Sequence, residues 1–124
     1  MKRRIKVTKV KPLLNSKKPK IQARLGLVNS MAKDLINIHG VSHFQFKFTG
    51  AKRRRGSCSQ NSIRLSINHA LSSDIKVVEN TILHEIAHAI VGVNHGHREA
   101  WQNKAKELGV VGELVVIENN LFLY

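Results

Sequence analysis

This chain has little cysteine and no long apolar runs, and its first 73 residues have almost no acidic side chains. Each of these features limits the kinds of structure or site that the chain can form. One cysteine, Cys58, excludes an internal disulfide and a zinc site built from paired cysteines, and it fits a reducing compartment. No apolar run approaches the ~18 residues of a membrane span, and the N-terminus lacks the apolar core of a secretion signal. We therefore expect an intracellular protein, cytoplasmic or nucleoid-associated, that enters no membrane.

Acidic residues are nearly missing from the first 73 positions, where 17 Lys/Arg face one acid, Asp34, for a net charge of +16. Residues 74–124 hold four Lys/Arg and seven acids, a net charge of −3. This segregation is typical of a polyanion-binding surface beside a separate site, and the alternative is a solubilising tail. The expected contacts to nucleic-acid phosphates, DNA above all, are Lys2, Arg3, Arg4, Lys52, Arg53, Arg54 and Arg55.

Length and apolar patterning predict one domain. With 124 residues, 42% of them hydrophobic, the chain can bury a single modest core. We expect a basic N-terminal arm at residues 1–20 and one domain at residues 21–124, and a monomer. Residues 21–38 carry apolar side chains at helical spacing and stop before Gly40, which predicts an amphipathic helix.

Two short segments alternate between apolar and polar residues, as half-buried strands do. They are His43–Phe48 and Ser62–Asn68, with the cationic turn Lys52–Arg55 between them. The helices expected after them are Asp74–Val91, capped by Ser72 or Ser73, and His97–Leu108, while Glu113–Tyr124 has the composition of a closing strand. The predicted fold class is α+β, with a small antiparallel sheet packed beside the first of these helices and flanked by the others.

The helix expected after residue 74 carries the pattern His84-Glu85-x-x-His88. Positions i and i+4 lie on one side of a helix, so both imidazoles can bind one zinc ion at about 2.0–2.1 Å. Glu85 then lies beside the metal, where a general base takes a proton from water. Such a pattern also arises by chance on a solvated helix. Here the neighbouring residues are apolar, and titratable groups are rarely buried without a partner.

A catalytic zinc needs a third protein ligand and one open position. Gly92 can end the helix, and the chain can then turn back to bring His95 or His97 to the metal. His97 would begin the next helix, where the positive end of the helix dipole favours the neutral, metal-binding imidazole.

The segments HEIAHAIVG and GHREAW resemble the SprT-like zinc metallopeptidases, the group that contains the Spartan proteases. The resemblance extends upstream through AKRRRGSCS, IRLSI and NTILHEIAH and covers residues 44 to 109. It implies His84, His88 and His97 as ligands of one zinc ion, Glu85 as the catalytic glutamate and Trp101 in the motif's aromatic position. The chain departs from the family in one respect. Many bacterial members carry a C-terminal zinc ribbon with paired cysteines, and this chain has no such cysteines.

The resemblance implies a peptidase that acts on proteins bound or crosslinked to DNA. By analogy with such peptidases, Ser62–Asn68 is the expected sheet edge for pairing with an extended substrate. Glu85 would take a proton from the attacking water and give it to the leaving amine. A second oxyanion donor is expected, with Arg64, Asn68 and His69 as candidates.

Other classes of protein fit parts of the pattern. A zinc endoribonuclease has its last histidine where this chain has Asn94, and a metzincin would need glycine and histidine at Val91 and Asn94. A gluzincin would take Glu99, Glu107 or Glu113 as its third ligand. A basic DNA-binding protein with a structural zinc would have four protein ligands rather than three beside a glutamate.

Overall fold

The computed structural model describes residues 12–93 and 97–110, with side chains from Lys18 onward. The expected closing strand Glu113–Tyr124 lies outside these residues. The elements are α1 (Pro12–Ile38), β1 (Gln45–Thr49), β2 (Gly56–Cys58), β3 (Ser62–Ser66), α2 (Ile67–Ser72), α3 (Ile75–Val91) and α4 (Glu99–Leu108). Helices and strands are thus mixed around a small sheet, and the predicted α+β class is confirmed. None of the helices in the described ranges is long and apolar enough to cross a membrane.

Helix α1 begins earlier than the apolar spacing predicted, because residues 12–20, expected as part of an arm, are helical. Pro19 lies inside this helix. The apolar side chains at positions 28, 32 and 36 are fully buried, as i, i+4 spacing requires. Gly40 ends the helix with φ +77°, and the amide of Val41 then donates to the carbonyl of Ile36.

The sheet has the order β1-β3-β2, so β3 is central among the described strands. β3 pairs antiparallel with β2 but parallel with β1. The prediction of an antiparallel sheet with Ser62–Asn68 at its edge was therefore wrong in both respects. The physical reason is that β2 forms the hairpin with β3, whereas β1 reaches β3 through the intervening turn and β2, which lets it run parallel.

Two serine hydroxyls account for differences at the ends of the elements. Ser66 ends β3 and caps α2, because its hydroxyl accepts a hydrogen bond from the His69 amide at 3.3 Å. The expected strand Ser62–Asn68 consequently stops at residue 66. Ser73 does not cap α3 either, since its hydroxyl bonds Nδ1 of His69 at 3.0 Å, and the N-cap of α3 is Asp74.

The core lies between the sheet, α1 and α3. Its fully buried members include Ile63 of β3 and Val78, Ile82 and Ile86 of α3. These three α3 positions follow helical spacing, so one face of α3 is apolar and fixed in the core. The neighbouring face carries the histidines at 84 and 88, and it is thereby held in a fixed direction.

Candidate metal centre

Three imidazoles meet beside α3. His84 and His88 project from one face of α3, and His97 returns to them just before α4. Nε2 of His97 lies 3.1 Å from Nε2 of His84 and 3.2 Å from Nε2 of His88. Two zinc–nitrogen bonds of about 2.0–2.1 Å at a tetrahedral angle would place their nitrogens roughly 3.3 Å apart. The three nitrogens can therefore hold one metal ion.

The protonation state of these imidazoles suits a metal ion. Burial, together with the neighbouring histidines, lowers the pKa of His84 from its usual 6.5 to about 3. Burial, followed by His97, lowers the pKa of His88 to about 4. Both rings are thus neutral at pH 7. Nε2 of His97 faces both neighbours at once, and one ring N–H can donate to only one of them. A cation accepts all three lone pairs.

Trp101 fixes the three rings. Its side chain is 2% exposed, stacks against His88 at 5.3 Å between centroids, and meets the rings of His84 and His97 at 4.6 and 4.8 Å. Its indole N–H donates to the carbonyl of His84 at 3.2 Å. One side chain of α4 therefore both supports the imidazoles and ties α4 to α3.

Glu85 lies next to this group and is 1% exposed. Its Oε2 is 4.0 Å from Nε2 of His84 and has no hydrogen-bond partner among the described residues. Burial raises the pKa of this carboxyl well above its usual 4.5, and the charge of Arg54 opposes the rise. An unpartnered buried carboxyl is costly, so a group that interacts with it is needed.

Gly56 makes room for the Glu85 side chain. A Cβ added at Gly56 would lie 3.2 Å from both Cγ and Oε2 of Glu85 and 3.1 Å from Cγ2 of Thr81. Strand β2 therefore approaches α3 as closely as a residue without a side chain allows. This role was not predicted, because a glycine in a strand can mark a close backbone approach but does not indicate which residue is approached.

The profile of the SprT-like family matches residues 18–120. This chain belongs to the SprT-like family. No curated protein and no solved structure matches it. The match begins inside α1, at residue 18, and includes the sheet, α3 and α4, so the elements that carry the three histidines lie within the SprT-like region.

The structure also locates the other residues that the sequence of this SprT-like chain suggested for metal or nucleic-acid binding. Lys2, Arg3 and Arg4 lie outside the described residues, as do His95 and Glu113. The side chains at 84, 88 and 97 are the one group of three potential metal ligands in the described part of the chain, and Glu99 and Glu107 are not in it. The four cations of Lys52–Arg55 line a separate cavity with Asn68 and His69.

Two of the three candidate oxyanion donors, Asn68 and His69, line the cavity of the four cations rather than the metal centre. Both ring nitrogens of His69 are bonded within the fold, Nε2 to Thr81 at 2.8 Å and Nδ1 to Ser73 at 3.0 Å. The third candidate, Arg64, lies in the middle of β3, in register with Ser57 and Lys47, and Asn68 is exposed. His69 consequently has a structural role.

Proposed function

We propose that this SprT-like chain is a zinc metallopeptidase that cleaves proteins bound or crosslinked to DNA. The observation that carries the proposal is the convergence of three imidazole Nε2 atoms beside a buried carboxyl group whose Oε2 has no hydrogen-bond partner among the described residues. Three protein ligands leave one position for water and substrate, which is the composition of catalytic rather than structural zinc sites.

The metal would be held by Nε2 of His84, His88 and His97. Zinc bound there would lower the pKa of a water molecule to about 7 and polarise the substrate carbonyl. The chain's own contribution is geometric. Helix α3 fixes two ligands at i, i+4, and Trp101 holds all three rings against rotation.

Glu85 is the proposed proton carrier. Its carboxylate, 4.0 Å from Nε2 of a proposed ligand, lies within reach of a water molecule between it and the metal position. Burial raises its pKa, which makes the carboxylate a stronger base towards the attacking water. The same group then gives the proton to the leaving amine.

The substrate backbone would pair with β2. Among the described strands β2 is paired on one side only, and its first residue, Gly56, contacts the proposed base. An extended peptide added to this edge would pass beside Glu85. Beyond His88 lies a cleft of about 260 Å³, lined by His43, Phe44, Ser59, Gln60, His88, Ala89, Gly92 and Val93, which can take one substrate side chain.

The test of the proposed base is Glu85→Gln. The variant keeps the size of the side chain and leaves the three histidines in place, so it should bind zinc and fold as the wild type does. Proteolysis should fall by about 10²–10⁴-fold, the usual effect of a positioned acid–base group. Glu79→Gln, on the same helix, is the matched control and should keep its activity. Near-normal turnover in Glu85→Gln would remove this residue from the mechanism.

The ligand set is tested by metal analysis. His97→Ala should lose most of its zinc, because two nitrogens cannot complete the site. His39→Ala, which alters a half-exposed histidine at the end of α1, should retain one zinc per chain. Loss of zinc from His95→Ala with retention in His97→Ala would show that the third ligand is misassigned.

A further inference from the structure

A second cavity, of about 390 Å³, lies apart from the metal centre and is lined only by polar residues. We call it the basic cavity, and its residues are Lys52, Arg53, Arg54, Arg55, Ser66, Asn68, His69, Ser72 and Ser73. We infer that the basic cavity binds a backbone phosphate of nucleic acid. This inference rests on the nucleic-acid part of the proposed function and names the place of contact.

The polar groups at the floor of the basic cavity are already bonded within the protein. The Ser66 hydroxyl donates to the Ala51 carbonyl at 2.8 Å, and the Ser72 hydroxyl donates to the Asn68 carbonyl at 2.6 Å. His69 uses both ring nitrogens, as described above. The floor is therefore rigid and has little hydrogen-bonding capacity left for a neutral ligand, so the cations must supply the affinity.

Two cations that line the basic cavity, Lys52 and Arg53, are available for a ligand. Lys52 and Arg53 are exposed and form no ion pair with a carboxylate of the described residues. None of the nine lining residues is acidic. Arginine forks match the tetrahedral oxygens of phosphate, and lysine adds a point charge. An anion with several oxygens is thus the ligand class that the basic cavity selects.

A fifth cation stabilises one side of the basic cavity without lining it. Arg24 of α1 donates from Nε to the carbonyl of Ala70 at 2.9 Å and from its terminal nitrogen to the carbonyl of Ser73 at 2.5 Å. These bonds hold the end of α2 and fix the Ser73 side of the basic cavity. The guanidinium of Arg24 thus bonds the protein's own backbone, unlike the cations that can bind a ligand.

The basic cavity is connected to the proposed base through the charge of Arg54, through His69 and through strand β2. His69 bonds Thr81, which lies one helical turn before Glu85 and packs against Gly56 at the same point. The turn that carries the four cations continues directly into β2, the strand beside Glu85. A nucleic-acid strand held in the cavity would keep any attached protein near the peptidase site, which favours nucleic-acid-bound protein as the substrate class.

The experiment compares two variants with the same change in net charge. In Lys52→Gln/Arg53→Gln the cavity loses two cations, and in Lys33→Gln/Lys106→Gln two exposed cations outside it are lost. Binding of a fluorescein-labelled oligonucleotide, single-stranded and duplex, is measured over a salt series. The cavity variant should bind at least 10-fold more weakly, and the slope of log affinity against log salt should fall by about 2, one for each lost phosphate contact. The control variant should change affinity less than 3-fold.

Further arms separate the sources of phosphate and the reasons for failure. Asn68→Ala changes no charge and should weaken binding about 3-fold without changing the salt slope. Equal losses of oligonucleotide affinity in both double variants would overturn the inference that the basic cavity binds phosphate, and only non-specific attraction would remain. Inorganic phosphate or anionic lipid vesicles that bind as tightly as the oligonucleotide would also overturn it. Wild type that binds no oligonucleotide would overturn the nucleic-acid part of the proposed function as well, whereas the metal and Glu85 tests would be unaffected.

Discussion

At the scale of single residues, the position of the Glu85 carboxylate depends on the absence of a side chain at Gly56. The added methyl group of alanine would lie 3.2 Å from Cγ and Oε2 of Glu85, so this side chain would have to shift by a few tenths of an ångström. A displacement of about 1 Å in a catalytic group can cost roughly 10²-fold in rate, so the smaller shift should cost less than that. Gly56 is therefore a positioning residue in the proposed mechanism.

We expect Gly56→Ala to lower kcat by roughly 10-fold while zinc content stays at one ion per chain, because the atoms nearest to the added methyl group belong to Glu85 and Thr81 rather than to a histidine. Steady-state proteolysis and metal analysis of the same sample measure the two effects. Gly50→Ala is the matched control, since a Cβ there meets nothing within 4 Å in the described structure. Equal activity in the two variants would show that Glu85 tolerates the displacement.

Residue spacing was enough to predict that His84, Glu85 and His88 lie close together, because helical geometry relates positions i and i+4 directly. The choice of His97 over His95 as the third ligand came only from the family resemblance. The length of a loop does not determine which of its residues reaches the metal position. The contact between Gly56 and Glu85 was outside the reach of sequence reasoning. It depends on how closely a strand packs on a helix, and no local pattern encodes that distance.

At the scale of secondary structure elements, the sequence predicted where the strands lie but not how they run. Alternation of apolar and polar residues located β1 and β3, and it holds for either direction of pairing. Direction was decided by the hairpin of β2 with β3, and β2 is only three residues long. The short helix α2 was missed because the capping of its first turn by Ser66 overrides the alternation that continues to Asn68.

Helix α2 gives the fold a pH dependence through His69. Burial, then the charge of Arg55, lowers the pKa of His69 from 6.5 to about 4 in the folded protein. Between these values the unfolded chain binds a proton that the folded chain does not. The free energy of unfolding should therefore be highest above pH 6.5 and fall towards pH 4, and His69 contributes part of this fall.

Urea unfolding of wild type and His69→Gln at several pH values checks this expectation. The variant should be less stable at pH 7, because it loses the bonds to Thr81 and Ser73. Its stability should fall less steeply between pH 6.5 and pH 4. His84 and His88 add the same trend to both proteins, so the difference between the two curves isolates His69. Parallel curves would contradict the assigned shift.

At the scale of the whole molecule, charge and chemistry are divided along the chain. The net charge of +16 precedes residue 74, and the helix with the HExxH pattern follows it. Four of those cations lie in one cavity, and another, Arg24, is used inside the fold. Composition predicted the division. The distinction between cations that hold the fold and cations that face solvent required the structure.

We expect proteolysis to favour a protein bound or crosslinked to DNA over the same protein free in solution. The advantage should be largest at low salt and should decline as salt rises, because affinity falls by about 0.9 log units per phosphate neutralised on duplex and per tenfold rise in salt. Cleavage rates on both substrates over a salt series measure it, with full-length enzyme and a variant lacking residues 2–11. Equal rates at low salt would leave a peptidase without direction by DNA.

Trp101 makes the metal centre optically visible. It is the chain's single tryptophan, so all of the indole fluorescence arises within van der Waals range of the three imidazoles. A metal ion held by the three rings would place a positive charge beside the indole, and a nearby charge changes the environment on which indole emission depends. Emission should therefore change as the site fills, without a label and without a substrate.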